Sequence, residues 1–151
     1  MSPKCHWNSA LTRRIFSLHY GNGQMPKQSL KFASRSTSEV VIDHLACREA
    51  GELEADIARN YHADAVVLTL ERTYRGPEGV RDCRRRLEEL LGSGEFVCRT
   101  IRMSNEFALI EWRSSTAGQC LIEGADSFVI EQGKIKCQTI RYSVQRLKKQ
   151  M

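Results

Sequence analysis

The sequence predicts an α+β domain in which three helices cover one face of an antiparallel sheet. Apolar residues recur at helical spacing early in the chain and at alternate positions later, so helices collect in front and strands behind. Tight-turn pairs, Ser104-Asn105 and Gln132-Gly133, separate consecutive alternating runs and make those strands antiparallel neighbours.

The first helix opens at Ser36, with Glu39 three residues on, the spacing of a capping box. It runs to about Ala50, turns Val40, Val41, His44, Leu45 and Cys47 inward, and stops at Gly51. A short second helix follows, with Leu53, Ile57 and Tyr61 four apart. The β-prone run Ala65 to Leu70 reads as a strand, and Arg72 to Gly76 as a short returning one. Gly76-Pro77-Glu78 then starts a third helix, whose buried stripe is Val80, Cys83, Leu87, Leu90 and Leu91, up to Gly92. Four alternating strands complete the domain: Phe96 to Met103, Glu106 to Arg113, Gln119 to Ile130 and Lys134 to Tyr142.

A chain of 151 residues, 41% of them hydrophobic, is one ordinary domain with enough apolar side chains for a core. The expected division is a weakly ordered basic extension over 1–35, the domain over 36–144, and a basic tail over 145–151. The net charge of +5 belongs to the extension: six basic residues precede Glu39, the first acidic one, leaving 17 basic against 18 acidic after it. A domain so balanced is not expected to bind nucleic acid, and Arg81, Arg84, Arg85 and Arg86 read as a solvated cluster paired with Glu88 and Glu89. No apolar run approaches the roughly 20 residues that span a bilayer, so no membrane partner is expected. Six scattered cysteines, without CxxC spacing, indicate reduced thiols and no metal site. A cytoplasmic location is expected; the acid-free N-terminus also has the composition of a transit peptide, or of a tail upstream of Met25 as a second start.

Alternation along the third long strand gives one face as Cys120, Ile122, Gly124, Asp126, Phe128 and Ile130. Asp126 is the lone charge there. Burial against the helices would favour its protonated form, the state of a carboxyl that acts as acid, base or hydrogen-bond donor. His44, the ionisable residue in the first helix's apolar stripe, points inward from the opposite side, so the two are candidates for a paired catalytic site. A buried polar pair without chemistry is the alternative. Tyr61, Tyr74 and Phe128 are candidates to line the pocket, and Trp112 to line it, pack in the core or face outward.

Several strings in order resemble the SnoaL-like branch of the nuclear transport factor 2-like superfamily. They are Ala50-Gly51-Glu52-Leu53, Tyr61-His62-Ala63-Asp64-Ala65-Val66-Val67, Tyr74-Arg75-Gly76-Pro77-Glu78-Gly79-Val80, Ala108-Leu109-Ile110-Glu111-Trp112, Gly124-Ala125-Asp126-Ser127-Phe128 and Gly133-Lys134-Ile135. The resemblance implies a cone-shaped curved sheet wrapped around three helices over a deep pocket, and a homodimer formed through the sheet. It implies that Asp126 stands at a pocket aspartate and His44 near a first-helix tyrosine. Thr69 stands where ketosteroid isomerases carry their base, which speaks against that reaction.

Three functions follow as expectations. One is a cofactor-independent cyclase or isomerase acting on a hydrophobic carbonyl compound through Asp126 and His44. Another is a binding module for a small apolar ligand, and the third a dimerisation scaffold.

Overall fold

The computed structural model describes residues 32–147 except 93 and 117–119. Its elements are helix α1 (Thr37–Ala50), α2 (Leu53–Asn60), strands β1 (Tyr61–Leu68) and β2 (Thr73–Arg75), α3 (Gly76–Leu91), then β3 (Glu95–Ser104), β4 (Phe107–Thr116), β5 (Cys120–Glu131) and β6 (Lys134–Arg146). The expectation of three helices against a curved, open sheet holds.

Helix α1 begins where the capping box puts it. The Ser36 hydroxyl accepts from the Glu39 amide at 3.2 Å, and the Glu39 carboxylate accepts from the Ser36 amide at 2.7 Å. Gly51 ends it in the left-handed region, at φ 72°. Tyr61, expected on the second helix, is instead the first residue of β1, because the chain turns extended there (φ −107°, ψ 140°). The six strands lie in the order β2-β1-β6-β5-β4-β3. All pairs are antiparallel except β1 with β6, which run parallel. Gln132 and Gly133, both at positive φ, make the tight β5–β6 turn.

The inner face of the sheet meets the helices in one core that includes Val40, Val41, Leu45, Val67, Leu87, Ile110, Trp112, Ile122, Phe128 and Ile135. Each large side chain so buried contributes about 1.5–3 kcal/mol. Phe96 stacks on Trp112 with ring centroids 4.9 Å apart.

Two boundaries differ from the expected ones. Arg35, expected in the extension, is buried and donates to Asn60 Oδ1 at 3.0 Å, to the Arg59 carbonyl at 2.5 Å and to the Gly133 carbonyl at 2.8 Å. Strand β6 continues past Tyr142 to Arg146, which pairs with Cys120. Residues 1–31, with the transit-peptide reading, and residues 148–151 lie outside the described residues, while Phe32–Ser34 form a short 3-10 turn. No helix among the described residues is long and apolar enough to cross a membrane.

The basic cluster of α3 is not one solvated group. Arg84 is buried, and the others find partners different from Glu88 and Glu89: Arg81 bonds Glu54 and Glu78, while Arg85 and Arg86 meet Asp82. The Val80, Arg84, Leu87, Leu91 spacing puts Arg84 on the inward stripe, where its long stem can lie among apolar side chains.

Candidate functional site

Strand alternation places Asp126 where it was expected, on the inner face of β5, with no exposed surface. Its register partners are Ile110 on β4 and Ile140 on β6. The polar groups that reach it come from diagonal positions of the same face. The Trp112 indole N–H donates to Oδ1 at 2.9 Å, and the Gln138 amide donates to Oδ2 at 3.0 Å. Gln138 in turn accepts from the Tyr61 hydroxyl at 2.6 Å. Tyr61, Gln138, Asp126 and Trp112 are therefore one hydrogen-bonded line across four strands.

Burial pushes the Asp126 carboxyl above its ordinary 3.8, against the opposing pull of the Arg48 charge and the two N–H donors. Between 3.8 and the raised value the folded state binds more protons than the unfolded one, so this residue's contribution to stability falls as pH rises through that window. Asp126→Asn lacks this dependence. In urea unfolding from about pH 7 down to about pH 4.5, the stability of wild type relative to Asp126→Asn is expected to improve steadily. A flat or opposite difference would count against a raised carboxyl.

His44 is also fully buried, but its partner is Asp56 rather than Asp126. Nδ1 lies 3.0 Å from Oδ1 and 2.9 Å from Oδ2 of Asp56. The α1–α2 corner brings the first turn of α2 against the middle of α1, so the helix-borne carboxylate is nearer than the strand-borne one. Asp56 also accepts from Asn60 at 2.9 Å and from Arg84 at 3.4 Å. Burial raises its carboxyl, but His44, Asn60 and Arg84 together outweigh burial and the net direction is down. An ionised carboxylate only accepts, so Nδ1 carries the proton and donates. Nε2 makes no hydrogen bond among the described residues, and the ring stands edge-on to Tyr61 and Phe128, at 5.7 and 5.4 Å between centroids.

Two neighbouring spaces adjoin this network. A cleft of about 500 Å³ opens between α3 and β6, with Tyr74, Leu87, Leu90, Ile140 and Tyr142 among its lining residues and Glu71, Arg72, Arg86 and Glu89 at its sides. It shares Cys83, Leu87 and Ile140 with a narrow recess of about 10 Å³, lined also by Arg48, Arg84, Tyr61 and Gln138. Of the candidate residues, Tyr74 and Thr69 line the cleft and Tyr61 lines the recess; Trp112, Phe128, His44 and Asp126 line neither. Thr69 is not on a strand. It sits in the turn after β1, where its hydroxyl donates to the Arg72 carbonyl and accepts from the Arg72 amide, both at 3.1 Å. Asp56, Gln138, Arg48 and Arg84 are the members of the site that sequence reasoning missed.

Arg48 stands one turn beyond His44 on α1, half-buried, with its guanidinium over the Phe96 ring at 4.8 Å. Desolvation, followed by the nearby Arg84 charge, pulls its pKa down to about 10.

No protein-family model matches the sequence, and no curated protein matches it. Solved structures do. A nuclear transport factor 2-like protein of unknown function from Burkholderia xenovorans superposes with a TM-score of 0.59 at 19% identity, over 71% of this chain and 82% of that one. The chain has the nuclear transport factor 2-like fold. Other structures sharing this fold include TerC crystallised with polyporic acid, with a TM-score of 0.59 at 14% identity over 71% of this chain and 91% of that one. A third, a candidate SnoaL-like polyketide cyclase from Mesorhizobium loti, has a TM-score of 0.55 at 11% identity over 71% and 99%. At these identities the nuclear transport factor 2-like likeness is one of architecture, and chemistry has to be argued from the side chains.

Proposed function

We propose that the chain binds a small, largely apolar molecule in the cleft between α3 and β6. The observation that supports this most is the cleft itself: about 500 Å³ is within the usual range for small-molecule sites, and aromatic and aliphatic side chains line it beside a few polar ones. TerC, which shares this fold, was co-crystallised with polyporic acid.

Acid–base catalysis on a carbonyl compound is the second reading. It draws support from the Tyr61–Gln138–Asp126 line, whose outer end borders the recess, and from the His44 ring oriented by Asp56. Asp126 would then act through Gln138 and Tyr61 rather than by touching the ligand, since it lines neither space. Pairing of two chains through the outer face of the sheet would use Phe107 and Leu109, which β4 leaves exposed.

A thermal-shift screen of small aromatic compounds tests the binding reading. Ligands at about 100 times their Kd should stabilise the wild type by about 2.7 kcal/mol. Leu90→Trp, which extends a half-buried wall residue into the cleft, should abolish the shift while leaving the unliganded protein folded. Ligands that stabilise both proteins equally would place binding elsewhere and sink the proposal.

A further inference from the structure

We propose that the recess beside the cleft is an anion site, and that the bound molecule carries a carboxylate received there by Arg48 and Arg84. This deepens, and rests on, the reading of the cleft as a binding site. Two arginines, one from α1 and one from α3, line the same narrow space, and their charges are close enough to act on each other. Arg84 is 9% exposed, and its one carboxylate within reach is Asp56, at 3.4 Å from a single Nη2. That carboxylate is already engaged more closely by His44 and Asn60. Among the described residues Arg48 makes no side-chain hydrogen bond and no ion pair; stacking on Phe96 positions it and leaves its N–H donors without a protein partner among those residues. The other nearby carboxylate, Asp126, accepts from Trp112 and Gln138 and lines neither space.

Two like charges facing one small recess, with less than one carboxylate's acceptor capacity between them, is a repulsive arrangement. A ligand carboxylate relieves it, since the planar fork of a guanidinium matches two carboxylate oxygens. The recess has room for about one water molecule, so one carboxylate oxygen would enter it and the other would stay at its mouth. The apolar body would stay in the cleft, which shares Cys83, Leu87 and Ile140 with the recess. Tyr61 and Gln138, bonded to each other at 2.6 Å, form the neutral polar wall.

The test uses two probes of one shape, biphenyl-4-carboxylate and biphenyl-4-carboxamide, titrated calorimetrically into the full chain. Wild type is expected to bind the acid about tenfold more tightly than the amide. Arg48→Met should bring the two within about twofold, and Arg48→Lys should fall between, since it keeps the charge but loses the fork. Arg81→Met, which removes a surface arginine bound to Glu54 and Glu78, should keep the full preference. The unliganded Arg48→Met protein should melt no lower than wild type, because it loses a poorly compensated charge. Equal affinity for acid and amide in wild type, or a preference that survives in Arg48→Met, overturns the proposal. If neutral compounds bind in a Leu90→Trp-sensitive way and neither probe does, the anion site fails alone. If no ligand is sensitive to Leu90→Trp, the cleft reading fails and the anion site with it.

Discussion

Asp56→Ala is expected to lower the stability of the domain by about 3–5 kcal/mol, a large share of the roughly 5–15 kcal/mol that a domain has. Three buried donors converge on this carboxylate: the His44 ring, the Asn60 amide and the Arg84 guanidinium. Removing it leaves an imidazole and a guanidinium in the core without an acceptor, and each unmade bond costs about 1–3 kcal/mol. Asp56→Asn should lose less, because its amide oxygen still accepts one of the three. Urea unfolding of both variants supplies the comparison. A loss below about 1 kcal/mol for the alanine variant would mean that the cluster is solvated and holds little.

Gly124→Ala should be the second most damaging change, at about 2–5 kcal/mol, although it adds one methyl group. Gly124 lies directly opposite Trp112 in the β4–β5 ladder, and the indole lies over the position that a side chain would take. A Cβ built there comes within 2.2 Å of Cζ2 and 2.4 Å of Cε2. Both atoms belong to a large ring packed in the core, so relief requires the indole to move. Movement breaks the 2.9 Å bond to Asp126 and leaves one buried carboxylate oxygen without its donor. The added methyl therefore reaches the polar network through the ring. Thermal melts, together with the near-ultraviolet dichroism of the Trp112 environment, provide the measurement. An unchanged melting temperature and an unchanged indole signal would show that the ladder can open locally at no cost.

The fold was legible because its devices are local. Ser36 with Glu39, Gly51, Gly76-Pro77 and Gln132-Gly133 each specify a boundary through one or two backbone groups, and all four stand where they were read. Alternation along β5 located Asp126, since a period of two leaves no freedom about which face a residue occupies. Thr69 was misread because apolar composition ran on from β1 after the backbone had turned; its hydroxyl competes for the chain through Arg72. Arg84 and Asp56 were missed for one shared reason. The inward stripes of α2 and α3 were traced through apolar residues, whereas the spacing alone, 53, 56, 57, 60 and 80, 84, 87, 91, includes both charges. The choice of Asp56 over Asp126 as the partner of His44 depends on how two helices meet, which no local pattern encodes. The parallel pairing of β1 with β6 is equally silent in sequence.

That parallel pairing divides the sheet by the entropy of making it. Four strands, β3 to β6, follow one another with at most three residues between neighbours, and each ladder between them can form by zipping from its near end. The ladder between β1 and β6 joins residues about 70 positions apart, as in Val66 with Cys137 and Leu68 with Thr139. Joining them traps the whole of α3 and four strands inside one closed loop. The wall of the cleft is made at that seam, since Ile140 and Tyr142 come from β6 while Thr69 and Tyr74 belong to the hairpin that β1 brings with it. The cleft is thus assembled from parts of the chain about 70 positions apart, and it exists only once the slowest kind of contact in the topology has closed.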